Sequence, residues 1–196
     1  MDRLSTVVLC LLLLMGSACD GAGASGETMR RRVDAVAAKP QKVESPAEFC
    51  DVHHSRGGAP GFTYPQLVVD VPEVHRWKWI NVWATWCEPC VAEIPLLQQW
   101  RRTLSDKGIR YDLHYLSVDT SGEEVDKFLR KNSLVKSSLR IAREDELAGW
   151  LKTIGLDASA AIPIHIFVDA TQKIRCVRTG ALSERSLAAI ERIFRD

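Results

Sequence analysis

The sequence predicts an α/β domain with a central mixed β-sheet flanked by helices on both faces. Three observations carry this. Trp77–Ala84 (WKWINVWA) is apolar on both faces apart from Lys78 and Asn81, as a central strand covered on both sides must be. Strand-like and helix-like stretches alternate around it, the order that sets helices against the faces of a sheet. Towards the C-terminus, two strand-like runs are joined by a tight turn at Asp169–Lys173. Such close spacing makes an antiparallel hairpin.

Taken in order, the globular domain begins at about Phe49 and runs to Asp196. Gly57-Gly58-Ala59-Pro60-Gly61 reads as a loop, because these residues punctuate regular structure. Leu67–Val71 reads as a short strand that Pro72 ends. After Trp77–Ala84 a helix starts near Cys87, with Ile94, Leu97 and Leu104 on its core face and Asp106-Lys107-Gly108 at its end. Pro95 inside it predicts a kink, since proline lacks the N–H and crowds the preceding turn. Tyr111–Val118 is the next strand, Glu123–Lys131 a helix, Leu139–Ala142 a brief strand and Glu144–Ile154 a helix. Ile164–Val168 and Ile174–Thr179 form the hairpin. Ser183 is placed to cap a last helix reaching Phe194, with Glu184 in the first turn where the helix dipole favours negative charge.

The residues before the domain read as export signals. Val7–Met15 is an unbroken apolar run of nine, short of the roughly 20 residues needed to span a bilayer but suited to the core of a secretory signal. Gly16, Ser17, Ala18 and Cys19 follow. This resembles a bacterial lipobox, in which the cysteine after the cut is acylated, although Gly16 stands where such motifs usually carry leucine. The same residues also suit simple cleavage that leaves Cys19 free, or an uncleaved anchor. Residues 20–48 read as a flexible tether. All three readings export the chain to a compartment that permits disulfides. Formal net charge is +1, from 26 basic and 25 acidic residues. No basic field points to nucleic acid.

Of six cysteines, Cys10 leaves with the signal and Cys19 carries lipid on the lipobox reading. Cys87 and Cys90 form a CxxC, and Cys50 and Cys176 remain. Their even number in an oxidising compartment suggests a structural disulfide between them. The alternative is a buried free Cys176 with Cys50-x-x-His53-His54 in a weak metal site.

For the CxxC, haem attachment needs histidine directly after the second cysteine, and Val91 is there. Structural zinc wants four ligands, and no second CxxC exists. Redox exchange fits the position. At a helix N-terminus Cys87 meets unpaired N–H groups and the positive end of the dipole, which favour the attacking thiolate. Cys90 lies one turn on, placed to resolve a mixed disulfide. Pro89 suits the first helical turn, where no N–H is needed. Glu88 between the cysteines opposes the thiolate, which makes the reduced form less favoured and the pair a reductant.

The stretch WATWCEPC at this strand–helix junction resembles the thioredoxin superfamily. VAEIP after it narrows the resemblance to the membrane-anchored TlpA/ResA/CcmG-like thiol–disulfide oxidoreductases of bacteria. The likeness covers about Ala59–Asp196, including Ala161-Ile162-Pro163 at the opening of a strand that ends in Phe167-Val168-Asp169. It implies a thioredoxin fold, export and a reducing role without a cofactor. It implies apocytochrome c or copper-centre assembly proteins as partners; because the compartment itself oxidises, the pair must be re-reduced by a membrane thiol donor. Ile162-Pro163 matches the family's cis-proline position, where the backbone can pair with an extended substrate. Glu93 lies on the same helical face as Cys90, one turn on, and can carry the proton that Cys90 gains or loses. Asn81 occupies the position of the buried acid of ordinary thioredoxins. Trp86 is expected beside the site as an apolar contact, and His75, His114 and His165 receive no role.

Two rivals remain. A peroxidase of the peroxiredoxin group would need threonine at position 84, where Ala84 stands. A copper-binding assembly chaperone could use the reduced Cys87/Cys90 pair as soft ligands, though no Met-rich or His-rich stretch supports it.

Overall fold

The computed structural model describes residues 44–71, 74–134 and 137–196. The expected signal, Cys10, Cys19 and nearly all of the tether lie outside the described residues. The elements are α1 (Pro46–Phe49), β1 (Val52–His53), β2 (Trp77–Trp83), α2 (Glu88–Asp106), β3 (Tyr111–Ser117), α3 (Gly122–Asn132), β4 (Ser138–Arg140), α4 (Leu147–Thr153), β5 (Ile164–Val168), β6 (Ile174–Thr179) and α5 (Ser186–Arg195). The strands form one six-stranded sheet in the order β1-β6-β5-β2-β3-β4. β2, β3 and β4 run parallel, and β5, β6 and β1 pair antiparallel. The sheet is mixed, as the sequence predicts.

β2 sits in the middle, and Lys78 to Trp83 are buried on both of its faces. On one face, Trp79 stacks on Trp100 of α2. Phe194 of α5 closes over Trp77, Trp79, Tyr111 and Phe167. This aromatic layer fixes α2 against the sheet, and therefore fixes where α2 begins. Large rings remove the most apolar surface from water, so a misplaced α2 is costly.

The tether ends earlier than expected, because residues 46–48 are the start of α1, which Ser45 and Glu48 close with a capping box. Three further elements also differ from expectation. Leu67–Val71 is not a strand. Leu67 makes a single bridge to Ile141, while Val68 and Val69 are 51% and 64% exposed. A segment lying on the sheet edge has nothing to bury its alternate residues against. Glu144–Ile154 is not one helix: Glu144–Glu146 is a 3-10 turn that leads into α4. Ser183 does not cap α5. The helix starts at Ser186, its N-cap position is Arg185 and no side chain caps it; the Ser183 N–H is given to Ser186 Oγ. Pro95 is exposed, and α2 continues through it to Asp106.

Candidate active site

Cys87 is the N-cap residue of α2. Its Sγ accepts the Cys90 N–H at 3.3 Å, and Pro89 occupies the first turn. A sulfur therefore fills the place usually taken by a serine or aspartate oxygen. Cys87 and Cys90 are joined as a disulfide, their Cα atoms 5.2 Å apart. Cys90 is wholly buried, whereas Cys87 keeps 6% exposure, so an incoming partner meets Cys87 first.

The turn before Cys87 is pinned by Asp119, which lies just past β3. Its carboxylate accepts the Thr85 N–H at 3.0 and 3.1 Å, the Thr85 hydroxyl at 2.6 Å and the Ser117 hydroxyl at 2.7 Å. Asp119 is 3% exposed. An acceptor-only group with this many donors holds a backbone turn firmly. Sequence reasoning missed it. The signal available was an acid two residues after a strand-ending serine.

The structure brings most of the expected residues to one place. Trp86, Cys87, Glu88, Pro89 and Ile162 line a groove of about 490 Å³, whose other walls include Val118, Leu147 and Glu144. Trp86 stands 69% exposed on its rim. The Ile162–Pro163 peptide is cis, and the Ile162 carbonyl oxygen lies 3.9 Å from Cys87 Sγ. A cavity of similar size, about 470 Å³, is lined by Arg76, Arg101, Arg102 and Arg110. It lies at the C-terminal end of α2, away from the sulfurs.

Behind the cysteines is a buried polar cluster. Glu93 is 4% exposed. Its Oε1 accepts from Asn81 Nδ2 at 2.9 Å and its Oε2 from the Leu182 N–H at 3.0 Å. His165, with no exposed surface, places Nε2 3.4 Å from Glu93 Oε1. Asn81 and His165 face each other across the β2–β5 ladder, which is why two strands distant in sequence supply one site. His165 was given no role from sequence. The signal was a lone histidine within IHIFV, a strand buried along its whole length.

Cys50 and Cys176 are bonded, with Cα atoms 5.5 Å apart and a sequence separation of 126. Cys176 is in β6 and Cys50 directly follows α1. Among the described residues, no group of three or more His, Cys, Asp or Glu is placed to hold a metal ion.

No family model matches the chain. Over 55 residues it is 36% identical to the thiol-disulfide oxidoreductase ResA of Oceanobacillus iheyensis, an alignment covering 28% of each chain. Over 108 residues it is 23% identical to ResA of Geobacillus thermodenitrificans, covering 55% of this chain and 57% of that one. The chain thus spans less than two thirds of the length of these curated relatives. Among solved structures, a secreted thiol-disulfide isomerase from Corynebacterium glutamicum matches with a TM-score of 0.56, at 19% identity, over 78% of this chain and 96% of that one. The fold is a thioredoxin fold.

Proposed function

We propose that this ResA/TlpA-like chain of the thioredoxin superfamily is an exported thiol–disulfide oxidoreductase that reduces partner-protein disulfides through Cys87 and Cys90. One observation carries the reading above the others. Cys87 Sγ caps α2, takes the Cys90 N–H and opens onto the groove, while Cys90 is sealed behind it. The N–H and the helix dipole favour a thiolate on the sulfur that a partner reaches.

In the reduced protein, the Cys87 thiolate attacks one sulfur of the partner disulfide and releases the other as a thiolate. Cys90 then attacks Cys87 Sγ, its proton passing to Glu93. The bond between Cys87 and the partner breaks, and the partner leaves with both sulfurs reduced. Two electrons have moved, and Cys87–Cys90 is the disulfide. Glu93 follows Cys90 by three residues in α2 and is buried, which supports it as the group that takes that proton. The backbone of Ile162, partly exposed at the groove, would offer an extended segment a short ladder, with Trp86 covering its apolar side.

The groove suits a peptide segment around a disulfide, which supports apocytochrome c haem-site cysteines or copper-centre assembly proteins as partners. The apolar run at Val7–Met15 and Cys19 support export and a lipid anchor. A membrane thiol donor would then return the pair to its reduced form. The test is the reduction potential of Cys87–Cys90 in a soluble form beginning after Cys19, equilibrated with dithiothreitol. A value near or below roughly −270 mV supports a reductant, and one near roughly −120 mV overturns it in favour of disulfide formation.

A further inference from the structure

The Glu93 cluster holds a group with no part in the mechanism so far. His165 Nδ1 lies 3.3 Å from Trp79 Nε1. An indole nitrogen can only donate, so Nδ1 must be the acceptor. A neutral imidazole carries one proton, and here it belongs on Nε2. Nε2 faces Glu93 Oε1 at 3.4 Å, beyond a well-formed hydrogen bond, and it has no hydrogen-bond partner. Asn81 Oδ1 in the same cluster also has none. Buried polar atoms without partners are rare, and each one calls for a reason. In this disulfide-bonded form the cluster holds a donor that is aimed at Glu93 but not engaged with it.

We propose that His165 is a positioning residue for Glu93, its Nε2–H closing on Oε1 when Glu93 carries charge and loosening when Glu93 carries a proton. The inference rests on the reading of Glu93 given above. In the resolving step the Cys90 S–H bond breaks and its proton joins a Glu93 oxygen. The Cys90 sulfur forms its bond to Cys87 Sγ, and the electron pair of the Cys87–partner bond leaves with the partner's thiolate. Before that step the Glu93 carboxylate sits in a dry site and needs donors. Asn81 Nδ2, the Leu182 N–H and His165 Nε2–H are the three that face it. Of these only the His165 contact is long, so it is the one with room to tighten and relax. Trp79 holds the ring by Nδ1, and the β2–β5 pairing holds the strand that bears it.

Ellman's reagent tests this without knowledge of the partner. Reduced protein releases one equivalent of thionitrobenzoate as Cys87 attacks and a second as Cys90 resolves. His165→Asn can keep an acceptor for Trp79 but does not reach Glu93. It is expected to slow the second release about tenfold, a part of what a positioned acid–base group contributes. His165→Gln, whose amide nitrogen reaches the place of Nε2, is expected to recover most of the rate. In a Glu93→Gln background His165→Asn should slow nothing further, since groups that act through one another are not additive. An unchanged second release in His165→Asn, or full additivity with Glu93→Gln, overturns the proposal. Nitrogen-15 NMR of the wild-type imidazole gives a check that needs no variant: an Nε2–H tautomer is expected, and an Nδ1–H tautomer overturns it. A wild type that releases no second equivalent, or a Glu93→Gln protein as fast as wild type, instead overturns the underlying reading of Cys90 and Glu93. That outcome is recognised because it occurs with His165 intact.

Discussion

The domain carries two disulfides whose settings differ in almost every respect. Cys50–Cys176 ties residues 126 apart in sequence, joining the segment after α1 to a strand of the sheet. Cys87–Cys90 ties residues three apart within one helical turn. Chain entropy assigns the long loop about 5 kcal/mol and the short one about 2 kcal/mol. The first lines neither of the two cavities described above. The second has one sulfur at a groove, one N–H aimed at that sulfur, and a buried carboxylate on the helical face behind it. On the proposed function, the same kind of covalent bond serves as a staple in one setting and as an electron store in the other.

Substitution at each pair should separate the two roles. Cys87→Ser removes the attacking sulfur, and turnover of a disulfide substrate should fall below detection by thionitrobenzoate release. Cys90→Ser should also lose turnover but retain the partner on Cys87, visible as a mixed disulfide on non-reducing gels. Free passage of Cys90→Ser through repeated turnovers would break the comparison. The Cys50→Ser/Cys176→Ser double variant should keep both phases of thionitrobenzoate release. It should lose up to about 5 kcal/mol of stability in denaturant titration. Peptides of Cys50 and Cys176 that separate in a non-reducing digest of the wild type would remove the premise.

Two smaller effects sharpen the contrast. Trp86→Ala strips apolar surface from the rim of the groove. It should raise KM several-fold for a peptide disulfide, by about 1–2 kcal/mol of lost burial, with stability unchanged. The smallest effect lies away from both disulfides. Burial lowers the His114 pKa from 6.5, with nearby Asp112 opposing the shift and Lys78 adding to it. The unfolded chain then binds the proton more readily than the folded one. Stability is therefore complete above pH about 6.5 and declines as pH falls through that value. His114→Gln should flatten this dependence in thermal melts. A slope left intact would place its origin in another group.

Legibility from sequence followed the same division. Local features were readable: the buried strand around Trp79, the hairpin, and a CxxC at a helix start, each set by neighbours within a few residues. The Cys50–Cys176 pair was reachable by counting. The buried cluster was not, because Asn81, Glu93, His165 and Leu182 meet only once β5 lies beside β2 and the chain after β6 folds back onto α2. Ser183 misled for a related reason. Its neighbour Leu182 gives its N–H to Glu93, so the chain there is shaped by the cluster and not by the helix that follows. Leu67–Val71 has the composition of a strand, but it falls on an edge where only Leu67 finds a bridge.

The outer edge of the sheet has a consequence of its own. β1 is two residues long and covers β6 by pairing Val52 with Val177 and His53 with Cys176. Asp51 just before it takes the Thr179 N–H and hydroxyl, and Cys50 before that is fastened to Cys176. An uncovered strand is a template on which other chains can stack. The Cys50 bond fastens this short cover, so cutting it would loosen the protection of β6 and bring this flank of the domain closer to a seed for aggregation.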